Sequence, residues 1–170
     1  MRGGAGDDTL SALAARTESS FHGDHGLLSY SYDANFDGSD TIDVRLCLNC
    51  ADKVITGGGG DDVISIGRLR DDYDGEPEID LGDGDDTITI DVVEKVDYLK
   101  IYGGDGDDNM HVKYIDFEYD AIIEGGAGDD TITVDSYNGN GKKASLSLLG
   151  GGGDDVCTLE GTMLTDADCA

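Results

Sequence analysis

The sequence predicts an all-β fold, a parallel β-solenoid of six to seven coils with one stacked row of glycine-rich turns. Three observations predict it. A nine-residue pattern of Gly, Asp and a β-branched strand start recurs at residues 3, 35, 57, 81, 103, 125 and 150, with steps of 32, 22, 24, 22, 22 and 25 residues. Apolar residues alternate with polar ones after each turn, the period-two signature of a strand with one buried face. Each coil of about 23 residues supplies only three to five core side chains, too few to fold alone, so neighbouring coils must stack.

The strand after each turn is the clearest element. Thr87-Ile88-Thr89-Ile90 and Thr131-Ile132-Thr133-Val134 are β-branched throughout, which suits a pleated, half-buried surface. One inward row reads Leu10, Ile42, Ile64, Ile88, Met110, Ile132 and Cys157. A second reads Ala12, Val44, Ile66, Ile90, Val112, Val134 and Leu159, and the outward row between them is polar. A second strand precedes most turns, with Ile55, Ile79, Ile101, Ile123 and Leu148 two residues before the repeat's first position as a third inward ladder. The reading is a turn, a strand, a connection and a second strand per coil. At about 4.8 Å per coil the core is about 30 Å long.

We expect one domain over 1–170: a first coil at 3–34 with an inserted N-terminal cap, regular coils over 35–156, and a C-terminal cap at 157–170. Residues 10–16 read as a strand running into a short helix. The stretches 68–77, 93–97, 113–119 and 136–143 read as connections. Met1-Arg2 leads directly into the first repeat, so the chain reads as a mature fragment or excised domain.

Composition sharpens the chemistry. Asp and Glu total 38 against 11 Lys and Arg, a formal net charge of −27. A general affinity for nucleic acid or anionic membrane needs a basic surface, and no run of 18 or more apolar residues is present to insert into a bilayer. The acidic excess is mostly Asp at fixed offsets from Gly, which points to a cation held by short carboxylates and nearby carbonyls. The sixth-position carboxylates are Asp8, Asp40, Asp62, Asp86, Asp108, Asp130 and Asp155. With the turn carbonyls they offer hard oxygen ligands suited to Ca²⁺ rather than to a soft metal. The fifth-position residues Asp7, Asp61, Asp85, Asp107, Asp129 and Asp154 are further candidates, whether as ligands, as field-tuning charges or as solvated side chains. The glycines that let the backbone approach an ion are Gly4, Gly6, Gly58, Gly60, Gly82, Gly84, Gly104, Gly106, Gly126, Gly128, Gly151 and Gly153.

Gly125-Gly126-Ala127-Gly128-Asp129-Asp130-Thr131-Ile132-Thr133 resembles the nonapeptide G-G-x-G-x-D-x-U-x of the RTX (repeats-in-toxin) family, where U is a large aliphatic. Residues 3–10 and 57–64 match equally well. Leu81 replaces the first Gly of its copy, and Asn35-Phe36 replace both leading Gly of theirs. The resemblance implies a right-handed parallel β-roll, Ca²⁺ between stacked turns, secretion with folding on external calcium, and no catalytic residue in the repeats. Family arrays run nonapeptide after nonapeptide, with calcium turns on opposite edges. One turn per coil here predicts a single calcium row of up to about six ions, offsetting +12 of the charge.

Cys47, Cys50, Cys157 and Cys169 are compatible with two disulfides and an oxidising compartment, with reduced thiols or a metal or redox site as alternatives. A Cys157–Cys169 bridge would staple a cap over the last coil, and Cys47–Cys50 would pinch a connection. His22-Gly23-Asp24-His25 reads as a polar loop before a transition-metal site. The partial Thr-x-Thr file at Thr87/Thr89 and Thr131/Thr133 suggests an ice-binding face, but Val63, Asp43, Asn109 and His111 break it. Paired carboxylates also occur in polysaccharide-active β-helices, yet here they sit in the turns, so the chain reads as not an enzyme. Two functional readings follow. One is a secreted or cell-surface calcium-folded module with a structural or adhesive role and an extracellular carbohydrate or protein ligand. The other is a self-associating protomer of an extracellular fibre or surface layer.

Overall fold

The computed structural model describes residues 9–12, 15–16, 32–48, 53–71, 76–139, 144–160, 162–163 and 169. Every regular element among them is a strand. The post-turn segments stack in parallel: Ile42 lies beside Ile64, Ile64 beside Ile88, Ile88 beside Met110, Met110 beside Ile132, and Ile132 beside Cys157. Each step is one repeat, so partners in the sheet are equivalent positions of successive copies. The result is a β-solenoid with five complete turns between Thr41 and Val156. The expected six to seven is corrected to about five. The step from Thr9 to Thr41 is paired at both ends but passes through the insertion, which lies outside the described residues, and seven stacked turns enclose one coil fewer than their number.

A coil has three strand faces rather than two. The post-turn ladder carries Ile42, Ile64, Ile88, Met110 and Ile132, and two residues on Val44, Ile66, Ile90, Val112 and Val134, all buried. The pre-turn ladder carries Ile55, Ile79, Ile101, Ile123 and Leu148 in register, also buried. Between them stands a third parallel ladder: Ala15, Cys47, Leu69, Val93, Ile115 and Tyr137. This corrects the reading of those stretches as plain connections. Its physical cause is a third buried position per coil: Cys47, Leu69, Val93 and Ile115 each follow a sixth-position Asp by seven residues, and all are buried. The same ladder overturns the expected helix after residue 12, because Ala15–Arg16 is a strand paired with Cys47–Leu48. Where no connecting loop intervenes, strands bend through the faces without a break, as Thr87–Asp105 and Ile115–Ala127 do.

Phe117 fills the core at one corner and stacks on Tyr137, while Tyr98 stacks on Tyr119 one coil away. Cations pair across coils on the outside: Lys113 with Asp91, Arg68 with Glu94, and Lys100 with Glu76. These pairs are solvated and contribute little each, but they place scarce positive charge against the acidic stack.

The C-terminal end departs from the parallel rule. Thr162–Met163 runs antiparallel to the last post-turn strand, pairing Thr158 with Met163 and Leu159 with Thr162. Cys157 is bonded to Cys169, which is buried and whose carbonyl accepts the Gly150 N–H at 2.9 Å. Backbone donors that a further coil would satisfy thus find partners in the returning chain, as a covered sheet edge requires. Cys47 is disulfide-bonded as well. Cys50, its expected partner, lies outside the described residues, as do His22, Asp24, His25 and the N-terminal cap segment.

Candidate metal centre: the stacked turn row

The described turns 57–62, 81–86, 103–108, 125–130 and 150–155 lie one above another at one corner. Their second and fourth residues all have positive φ, from 108° at Gly60 to 151° at Gly153, the region where only glycine is unstrained. Stacking adds a steric demand. At Gly104 (φ 123°) a Cβ would run into the Gly82 carbonyl oxygen of the coil below. The glycines therefore let backbone stack directly on backbone.

The first position works differently from the second and fourth. Gly57, Gly103, Gly125 and Gly150 are absent from the positive-φ set and are buried. A Cβ at Gly103 would collide with Asp108 Oδ2 of its own turn and with the Gly125 carbonyl oxygen of the next. At Gly125 it would meet Asp130 Oδ2 and the Gly150 carbonyl oxygen, and at Gly57 Asp62 Oδ2 and the Leu81 carbonyl oxygen. The missing side chain opens a small space inside the turn, onto which a carboxylate oxygen and a carbonyl oxygen converge.

The sixth-position carboxylates form a buried ladder. Oδ1 of each accepts the backbone N–H of the sixth residue one coil earlier: Asp62 from Asp40 at 2.8 Å, Asp86 from Asp62 at 2.7 Å, Asp108 from Asp86 at 2.9 Å, Asp130 from Asp108 at 2.8 Å and Asp155 from Asp130 at 2.9 Å. Asp40, Asp62, Asp86, Asp108 and Asp130 are nearly inaccessible to solvent, while Asp155 in the last turn is half-buried. Oδ2 of Asp62, Asp86, Asp108 and Asp130 is buried with no hydrogen-bond partner. Burial, opposed by the backbone hydrogen bond and reinforced by neighbouring Asp charges, raises these carboxyls above the ordinary range, Asp86 to about 7 and Asp108 to about 6. Asp62 and Asp130 are raised for the same leading reason. Inward-facing carboxylates stripped of water need either a proton or a cation.

The fifth-position residues run in the opposite sense and on the outside. Asp61 Oδ1 accepts the Asp85 N–H, Asp85 that of Asp107, Asp107 that of Asp129, and Asp129 that of Asp154. Asp61, Asp85, Asp107, Asp129 and Asp154 are exposed. In the degenerate copy Ser39 takes this role, its Oγ accepting the Asp61 N–H at 3.2 Å. The two Asp files thus bracket each turn, one outside linking forward and one inside linking back. Asp7, Asp8, Gly4 and Gly6 lie outside the described residues.

The residues fit a hard cation. The orphaned Oδ2 atoms, the side-chain-free space at the first Gly and a converging carbonyl oxygen are an all-oxygen donor set of the kind Ca²⁺ takes. Among the described residues no three or more His, Cys, Asp or Glu side chains converge on one point, so backbone carbonyls must complete any ligand set. The RTX calcium-binding nonapeptide repeat family matches four segments, 1–15, 54–72, 100–112 and 117–136. This chain carries RTX calcium-binding nonapeptide repeats. The matched segments include the copies at Gly3, Gly57, Gly103 and Gly125, and the last three of these are turns of the stacked corner. No curated protein and no solved structure matches the chain significantly.

The spacing along the chain identifies the sixth- and fifth-position Asp but not their opposite directions, which depend on inter-coil hydrogen bonds. Nor does the Gly spacing alone show that the first position governs space. The signal for that was present: the first residue follows the inward Ile by two, so in a strand it faces the core.

Proposed function

We propose that this RTX repeat array is a calcium-folded extracellular module with a structural or adhesive role. Ca²⁺ would be held inside the turn row by the sixth-position carboxylates and the turn carbonyls, with the fifth-position Asp outside them. The observation that carries this reading is the set of buried Oδ2 atoms without partners at Asp62, Asp108 and Asp130 in a chain of net charge −27. Calcium would supply the positive charge that makes stacking of these carboxylates favourable. The Cys157–Cys169 disulfide supports an oxidising, secreted or cell-surface location. The array is read as non-catalytic, its carboxylates being committed to stacking rather than aimed into a cleft. The strand and disulfide that close over the last coil favour a discrete module over a fibre protomer, because an uncovered solenoid end is what templates end-to-end growth.

Titrating the EDTA-treated chain with Ca²⁺ while recording far-UV circular dichroism tests the reading. A cooperative gain of β signal is expected, and Asp130→Ala should shift the midpoint to higher calcium by at least tenfold. A β spectrum already complete in EDTA at neutral pH would sink calcium-driven folding. Light scattering with millimolar Ca²⁺ should show a monodisperse monomer; filaments would favour the assembly reading instead.

A further inference from the structure

The coil 81–86 is built differently from the others. In the turns at Gly57, Gly103 and Gly125 the first residue lacks a side chain, and the sixth-position Oδ2 and the next turn's first carbonyl oxygen converge where a Cβ would stand. Leu81 occupies that position with a whole isobutyl group, and it is fully buried. It lies in register with its neighbours, since Asp80 pairs with Tyr102 and Gly82 with Gly104 on either side of it. The carboxylate ladder also passes through unbroken: Asp86 Oδ1 accepts the Asp62 N–H at 2.7 Å and Asp108 Oδ1 the Asp86 N–H at 2.9 Å. The backbone therefore keeps its repeat, and the difference is confined to the inner space.

We infer that the row of calcium sites is interrupted here, with no ion between the turns 81–86 and 103–108, so that the site at Asp62 stands apart from the pair at Asp108 and Asp130. This rests on the calcium reading above. A real Cβ cannot stand where an oxygen of the carboxylate and one of the next carbonyl come together, so Leu81 holds those two oxygens apart and fills the volume an ion would take. The site at Asp62 is not affected in the same way. There Leu81 contributes only its carbonyl oxygen, and the residue that must lack a side chain is Gly57. Leu81 acts as an apolar plug that replaces one ion with core packing. Binding on its two sides is then less strongly coupled than in an unbroken row, since nearest-neighbour contacts carry the cooperativity of a solenoid.

Native mass spectrometry of the calcium-loaded chain counts the ions directly. Asp86→Asn, which keeps Oδ1 as an acceptor, should leave the count at the wild-type number, while Asp62→Asn, Asp108→Asn and Asp130→Asn should each lower it by at least one. Leu81→Gly should raise it by one. A loss of ions in Asp86→Asn, an unchanged count in Asp108→Asn, or an unchanged count in a Leu81→Gly chain that retains its β spectrum would each overturn the interruption while leaving calcium binding intact. Should Leu81→Gly fail to fold, the Asp86→Asn and Asp108→Asn pair decides alone. A wild-type chain that binds no calcium overturns both this and the proposed function.

Discussion

At the scale of single residues, each turn position has one physical job. The second and fourth glycines accept a backbone conformation that other residues resist, and they let adjacent coils touch main chain to main chain. Gly104→Ala should cost at least about 1–3 kcal/mol from its positive φ alone, and the collision with the Gly82 carbonyl adds to that. A chemical denaturation midpoint well below wild type at fixed calcium is the expected result. The sixth-position Asp carry the pH dependence. Burial raises Asp86 to about 7 and Asp108 to about 6 from 3.8. Without calcium the folded state therefore binds more protons than the unfolded state across this window, and stability falls as pH rises from about 4 towards 7. The calcium-free chain should show more β structure at pH 5 than at pH 8. Calcium competes with the proton on Asp108, so its apparent affinity should rise with pH over the same interval. Circular dichroism at the two pH values in EDTA, then with calcium added, checks both directions.

At the scale of elements, what matters is how the last coil is closed. The parallel ladders would end on exposed donors and acceptors, but an antiparallel strand and a disulfide-tethered Cys169 meet them. The bridge spans a sequence separation of 12, for which loop-closure entropy suggests about 3 kcal/mol. A Cys157→Ala/Cys169→Ala chain should lose stability on that order, with hydrogen exchange accelerating first in residues 145–159 and last in the central coils. Uniform acceleration along the chain would mean the tail does not act as a cap. The strands themselves were legible wherever alternation was regular, as in Thr87-Ile88-Thr89-Ile90. The third ladder was not, because Leu69, Val93 and Ile115 each stand among charged or irregular neighbours. Only one buried position is shared by Leu69, Val93 and Ile115 across the coils, and one shared position leaves no local period; it becomes visible only when copies are aligned on their Asp.

At the scale of the whole molecule, the fold stacks like charges at the spacing of β-strands. Successive coils sit about 4.8 Å apart, so both Asp files run at separations where repulsion is strong and incompletely screened. At 0.1 M salt the Debye length is about 10 Å, so monovalent salt should partly screen the exposed fifth-position file. In EDTA, raising NaCl from about 0.02 to 0.5 M should increase the folded fraction. It should not restore the fully loaded spectrum, because the inner carboxylates are shielded from solvent ions. Full recovery by NaCl alone would place the controlling charges outside rather than within the turns.

The sequence by itself determined the repeat, the parallel stacking of equivalent residues and the identity of the buried Ile rows. Those follow from periodicity and from the need of each coil for a neighbour. The tertiary structure alone decided the three-sided coil, the antiparallel return at the C-terminal end, the opposed directions of the two Asp files and the filled space at Leu81. The physical reason is that each depends on which atoms of one coil face the next. Spacing along a chain fixes which residues are equivalent, but not where a carboxylate oxygen points once two coils have closed on each other.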